Sequence, residues 1–330
     1  MIQAYSVKEH VLVSTPLAVG AALPTDTVWI DMFEPTAEED KHVESLAGVA
    51  IPTREEMRDI EDSSRLYSEG GALYLTSPVL YAAGTDKPGI APITFVVTKE
   101  LMITVRYSKP QPFALYAARA KKPGNDLVFM ACDPFTILFG LIESITDRIA
   151  EHLEDVAQRI DAESTRLITG STGKKPMTTK DFRAGLKMIG KEGDFLSKIR
   201  ESLIGFGRLL AYLEASPMVV AEEASHVTWL KSLERDVESL NDHVSYLSER
   251  TVFLLDTVVG LVSVEQNSII KIFSVAAVAF MPPTLVASIY GMNFRNMPEL
   301  DWTLGYPLAI GLMVLAALLP LAYFRKRGWF

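Results

Sequence analysis

Asn267, Ile270, Ser274, Ala277, Met281, Thr284 and Ser288 recur at spacings that alternate between three and four. That alternation puts one amide and three hydroxyls on a single face of a helix. These oxygens are polar but uncharged. Such a face could pass a hydrated cation without holding it tightly; small residues in the same pattern could equally serve close helix packing in lipid. Asp, Glu and His are absent from the two uncharged runs Ile272–Tyr290 and Gly305–Phe324, so a proton relay of ionisable groups is not expected there.

Other chemistry is poorly supplied. Cys132 stands alone, so an intrachain disulfide and a cysteine-rich metal site are excluded. His10, His42, His152, His226 and His243 share no close metal-ligand spacing. Gly173-Lys174 sits in a loop, but Ile168 occupies the first glycine position of a phosphate loop and Lys175 replaces its Ser/Thr. GxSxG, dinucleotide and HExxH patterns do not occur, and the chain reads as a non-enzyme without a resident cofactor. Asp and Glu total 41 against 32 Lys and Arg, a net charge of −9, which disfavours a nucleic-acid partner. Acidity serves solubility, or attracts cations where carboxylates converge.

Two runs must position the polar face. Ile272–Tyr290 is nineteen residues and Gly305–Phe324 twenty, each about enough to cross a ~30 Å hydrocarbon core as a helix. Lys271 precedes the first and Arg325, Lys326 and Arg327 close the second, whereas the connecting loop holds Arg295 against Glu299 and Asp301. Basic flanks stay cytoplasmic, so both termini are expected inside and the loop outside. Trp302, Tyr306, Tyr323 and Trp329 fall at the interfaces. The N-terminus lacks the basic and apolar regions of a cleavable signal.

Upstream, Leu230, Leu233, Val237, Leu240, Val244, Leu247, Thr251, Leu254, Val258 and Leu261 form a heptad stripe. Proline and glycine are absent from Ala221 to Val259. A helix from Ala221 through Tyr290 would extend about 105 Å, so it must leave the globular part as a stalk and become the first span. The stripe needs a partner: either other helices of the chain, from segments 135–168 and 181–215, or further copies around an axis. Continuity into the bilayer favours the axis.

Tyr290-Gly291-Met292-Asn293-Phe294, then Met297-Pro298-Glu299-Leu300, Trp302 and Gly305-Tyr306-Pro307, resemble the CorA family of divalent-cation transport proteins. Met281-Pro282-Pro283-Thr284 and the basic-aromatic tail from Arg325 match it too, over roughly residues 250–330. The N-terminal part is similar more loosely, through Trp29-Ile30-Asp31 and Ile51-Pro52-Thr53-Arg54-Glu55-Glu56-Met57.

The resemblance implies a homopentamer in the inner membrane that carries mainly Mg²⁺, with Co²⁺ and Ni²⁺ secondary. A related branch handles Zn²⁺ and usually departs from Gly-Met-Asn, which this chain keeps. Mg²⁺ dehydrates reluctantly, so a mouth of Gly291 carbonyls and Asn293 amides, with Met292 between them, suits a hydrated ion. Thr284 would form a second polar ring, Met281 an apolar constriction and Asn267 a ring at the cytoplasmic end, with Ile270, Ser274 and Ala277 along the lining. Glu299 and Asp301 either concentrate cations outside or are ordinary loop residues. Asp256 matches a family stalk carboxylate or is plainly exposed. Family members sense cytoplasmic Mg²⁺ through carboxylates between protomers; Ser232 stands at the expected position, with Glu234 and Asp236 near it. A proton-coupled Zn²⁺ transporter and a membrane-anchored scaffold are the alternatives.

Upstream of residue 130 the chain reads as mixed α/β. Strands are expected at Thr27–Met32, Ile93–Val97 and Met102–Tyr107, with a hairpin around Gly70-Gly71. Thr53-x-x-Glu56 starts a short helix, and Asp133-Pro134 opens a long one reaching about Ile168. The expected fold is an α+β (α/β/α) cytoplasmic domain at 1–130 and a helical part at 131–220. A very long stalk helix (221–268) leads into a two-helix transmembrane hairpin (269–290 and 305–324). An external loop (291–304) joins the two, a basic tail (325–330) follows, and five copies form a funnel.

Overall fold

The structure is a computed structural model that describes residues 1–8, 11–59, 61–85, 87–122, 133–172, 177–220, 224–292 and 297–328. The chain divides into two compact units: Met1–Thr169 with Gly185–Leu254, and Gly170–Ala184 with Leu255–Phe330.

The first unit holds a seven-stranded sheet of β1 (Ile2–Lys8), β2 (Val11–Leu17), β3 (Thr27–Phe33), β4 (Leu66–Glu69), β5 (Ala72–Tyr81), β6 (Gly89–Val97) and β7 (Met102–Arg106), in the order β2-β1-β3-β7-β6-β5-β4. Only β3 and β7 run parallel. The expected strands at Ile93–Val97 and Met102–Tyr107 fall in β6 and β7, which pair antiparallel with Val97 opposite Met102. β4 and β5 turn through Gly70 and Gly71, both at positive φ (58° and 81°), the pair of left-handed residues that a tight hairpin requires.

Both faces are covered. Ile30, Met32, Ile103 and Val105 pack with Val43 of α1 (Ala37–Ala47), whose start is closed by a reciprocal Thr36–Glu39 capping box. Thr53 and Glu56 bond each other likewise, ahead of a single 3-10 turn, Glu56–Arg58. One short helical turn, α2 (Asp62–Arg65), leads into β4. On the opposite face, Trp29 stacks on Tyr5 at 4.1 Å and meets Tyr116 of α3 (Gln111–Ala120) edge-on. Burial, with Asp31 adding, pushes the Tyr5 phenol up to about 12.

Long helices complete the unit: α4 (Pro134–Thr172), α5 (Thr179–Glu214) and, after the single turn α6 (Pro217–Val220), α7 (Ala224–Tyr290). Asp133 caps α4 by accepting from the Thr136 amide at 2.7 Å. Arg159 of α4 pairs bidentately with Glu192 of α5 at 2.7 and 2.9 Å.

Within the first unit the heptad stripe of α7 is largely buried inside one chain: Leu230, Leu233, Val237, Val244, Leu247 and Leu254 are at most 2% exposed, with Leu240 half-buried. Its partners include the α5 backbone, which comes close at two glycines. Cβ atoms added at Gly193 and Gly207 would lie 3.8 Å from Thr251 and Val237. Arg250 also pairs with Asp161 of α4. The expectation that this stripe lies against further copies around an axis is therefore corrected: the chain's own helices take it up.

Gly205 marks where α5 crosses β5. An added Cβ would sit 2.5 Å from Pro78 Cδ and 2.7 Å from Ser77 Oγ. The proline ring cannot swing away. Gly205→Ala is expected to cost about 1–3 kcal/mol of overpacking, less the ~1 kcal/mol that alanine returns to a helix. Gly190→Ala, with nothing within 4 Å of its Cβ, should stabilise by up to ~1 kcal/mol. Thermal unfolding of the two variants checks both signs.

The second unit carries the end of α7 and α8 (Gly305–Lys326), joined through a 3-10 turn, Pro298–Asp301. α7 and α8 are both long and apolar enough to cross a membrane, and their apolar windows are only 11% and 6% buried, unlike helices of a soluble core. α7 stays helical through Pro282 and Pro283.

Candidate functional site

The polar row lies along an exposed face of α7; Ile272, Phe273 and Phe280, off the row, are exposed too. Asn267, Ile270, Ala277, Met281, Thr284 and Ser288 are exposed and Ser274 is half-buried, whereas Val275 and Ala279, behind the row, are buried. Thr284 donates its hydroxyl proton to the Phe280 carbonyl at 2.7 Å. That bond satisfies the donor and leaves the hydroxyl oxygen as an acceptor, the polarity a passing cation needs. Pro282 and Pro283 lack the amide protons that would reach the carbonyls of Val278 and Ala279.

Gly291 ends the helix, its amide bonding the Ala287 carbonyl at 2.9 Å. A Cβ there would lie 3.0 Å from that same oxygen, so the close approach of backbone to backbone accounts for the glycine. Met292 is 47% exposed. Asn293 lies outside the described residues. Glu299 belongs to the turn Pro298–Asp301, where Asp301 is exposed.

Because α7 is one helix, the row can be followed backwards from Asn267 by four, three and four residues, to Ser263, Gly260 and Asp256, all exposed. Asp256 thus shares the face of the polar row and lies off the buried stripe. Sequence reasoning tracked the apolar stripe and overlooked Ser263 and Gly260; the signal was the same three-four spacing carried past Asn267.

The three carboxylates singled out on the stalk do not converge. Glu234 is half-buried and its carboxyl is raised by burial, with Glu214 adding and Lys231 opposing. Asp236 faces elsewhere, toward α4. There Glu143 is raised by burial and then by Asp147, with Arg119 opposing and Asp236 adding. Asp147 is raised by burial too, with Arg119 opposing and Asp236 adding. Glu143 and Asp147 were not singled out in the sequence, where nothing links them to Asp236. Among the described residues no group of three or more His, Cys, Asp or Glu is arranged to hold a metal ion.

The chain matches the family model described as CorA-like Mg²⁺ transporter protein over residues 25–326. It is 33% identical over 329 residues to a protein named magnesium transport protein CorA from Pasteurella multocida, covering 100% of both chains. Its fold is similar to the complete structure of the CorA magnesium transporter from Methanocaldococcus jannaschii, with a TM-score of 0.77 at 18% identity over 100% of this chain and 99% of that one. A cytoplasmic domain of ZntB from Vibrio parahaemolyticus is similar at a TM-score of 0.50 and 10% identity, over 78% of this chain and 95% of that one.

Proposed function

The chain belongs to the CorA-like Mg²⁺ transporter family, membrane proteins that move divalent cations and are not enzymes, and from that premise we propose that it is a gated channel for Mg²⁺ uptake, with Co²⁺ and Ni²⁺ as secondary ions. Five copies surround one axis in the inner membrane, with both termini cytoplasmic. The observation that carries this reading is the exposed row on α7. Its hydroxyl oxygens within the apolar span, at Ser274, Thr284 and Ser288, would face lipid in a lone helix, where polar groups are costly. An aqueous passage between copies removes that cost.

A hydrated ion is selected at Gly291, Met292 and Asn293, where neutral oxygens replace water–water contacts without stripping the inner shell. Glu299 and Asp301 concentrate cations at the entrance. A negative interior drives a divalent ion inward by about 4.6 kcal/mol per 100 mV. Rings of Thr284, Met281 and Asn267 follow, and Asp256 lies on the same row where the passage leaves the membrane. Cytoplasmic Mg²⁺ closes the pore by neutralising stalk carboxylates, for which Asp256, Glu234 and Asp236 are the candidates.

Purified protein in liposomes tests the reading. Mg²⁺ entry is expected to rise with a negative-inside potential and to fall at least tenfold in Asn293→Ala. Flux confined to Zn²⁺, or driven by a pH gradient, would move the chain to the zinc branch. No flux of Mg²⁺, Zn²⁺ or Ni²⁺ under any potential would leave an anchor or a closed channel.

A further inference from the structure

Within the first unit, α5, α7 and the end of β5 line an open cavity of about 480 Å³, to which Arg65, Arg200 and Arg208 also contribute. Three other arginines of this unit are matched with carboxylates: Arg106 with Asp31, Arg159 with Glu192, Arg250 with Asp161. The two half-buried arginines of the cavity are held differently. Arg200 donates to the hydroxyls of Ser245 and Ser248 at 3.2 and 3.4 Å. Arg65 donates through Nε to the Asp59 carbonyl at 2.5 Å. Among the described residues neither makes an ion pair. Both guanidiniums are thus steadied by neutral oxygens, with charge left to offer and several N–H donors each to spare.

Arg65 and Arg200 share the lining with one carboxylate, Glu201, a local excess of positive charge in a chain of net charge −9. Pro78, Ile204 and Val252 supply an apolar wall. Guanidinium forks match phosphate oxygens bidentately, and the volume falls in the range of small-molecule sites. Gly193 keeps the upper wall low: its added Cβ would meet only Thr251, at 3.8 Å.

We propose that this cavity binds a phosphate-bearing small molecule of nucleotide size, with Arg200 and Arg65 on its phosphates. Because Arg200 reaches Ser245 and Ser248 of α7 from α5, the occupant would bridge α5 to the helix that carries the polar row.

Calorimetric titration of the full-length protein in detergent tests this, with ADP, pyrophosphate and adenosine as probes at matched ionic strength. EDTA is present throughout, so that chelation of Mg²⁺ cannot imitate binding. Saturable binding of ADP is expected, weakened at least tenfold by Arg200→Gln and by Gly193→Leu, which fills the cavity. ADP binding tighter than pyrophosphate would place the nucleoside on the apolar wall; equal affinities would mean that phosphate alone is held. Should Gly193→Leu not fold, Arg65→Gln takes its place. Absence of saturation with every probe, binding indifferent to Arg200→Gln, or adenosine binding as well as ADP would overturn the proposal. So would loss of the oligomer in Arg200→Gln without anion binding, which would assign these arginines to a neighbouring copy.

Discussion

A thiol placed at Ala277 or Thr284 is expected to make Mg²⁺ flux sensitive to a cationic, membrane-impermeant methanethiosulfonate, with a loss of at least tenfold. A thiol at Ile272 should leave flux unchanged. The chain suits the experiment, because Cys132 is its single cysteine and can be replaced first. Ala277 and Thr284 lie on the exposed row, two turns apart. Ile272 is 62% exposed, so its accessibility to reagent in detergent is not the difference. Its place is: Ile272 lies about 200° around the helix from Ser274 at 100° per residue, on the side that lipid should cover.

The magnitude follows from the number of copies. In the proposed pentamer each reagent would add a fixed positive charge per copy, so full modification would put five charges in one ring. A divalent cation meeting even one unit charge at ~4 Å faces about 8 kcal/mol of repulsion at an effective dielectric constant of 20. Block at Ile272 equal to that at Ala277 would detach the row from the ion path, and so would full flux with both row positions modified.

How much of this was readable beforehand depended on the range of the interactions. The two spans, the continuous helix between stalk and membrane, the Gly70-Gly71 hairpin and the capping residues Thr53 and Asp133 are decided by neighbours within a few positions, and the sequence displays them. Thr36-x-x-Glu39 is the same kind of signal and went unread, together with α1, which it starts. The N-terminal pair β1 and β2 was missed for a different reason. Ser6, Lys8, Ser14 and Thr15 blur the alternation, and the pairing with β3 that buries Ile2 and Ala4 lies outside any local window.

The partner of the heptad stripe was misjudged because periodicity reports that a face is buried and not what buries it. The side chains of α4 and α5 lie tens of residues away from the stripe they cover. The same blindness hid Asp256 among the row residues. A window centred on the apolar stripe assigns it to the space between Leu254 and Val258, while the unbroken helix puts it in register with Asn267.

Asp31→Ala is expected to destabilise the first unit by about 3–5 kcal/mol, the cost of leaving a buried charge without its partner. Asp31 is 5% exposed. Its Oδ1 accepts from Arg106 Nε and its Oδ2 from Arg106 Nη2, both at 2.8 Å, and Thr104 donates to Oδ1 at 2.8 Å. Trp29 Nε1 in turn donates to Thr104 at 3.0 Å. β3 and β7 run parallel with Asp31 opposite Thr104, so residues more than 70 positions apart in the chain meet on one face of the sheet. Removing the carboxylate leaves the guanidinium between the rings of Phe33 and Phe113, at 4.9 and 5.2 Å, with the Ser108 carbonyl as its remaining acceptor among these bonds.

Cation–π attraction offsets only ~0.5–2 kcal/mol of that loss. Asp31→Ala with Arg106→Met should therefore recover much of the stability, because an apolar side chain of similar length needs no counter-charge there. Denaturant unfolding in detergent, followed by fluorescence, measures both variants. A single-variant loss below 1 kcal/mol, or a double variant no better than the single, would mean that solvent reaches Arg106 and that the pair contributes no more than a surface salt bridge.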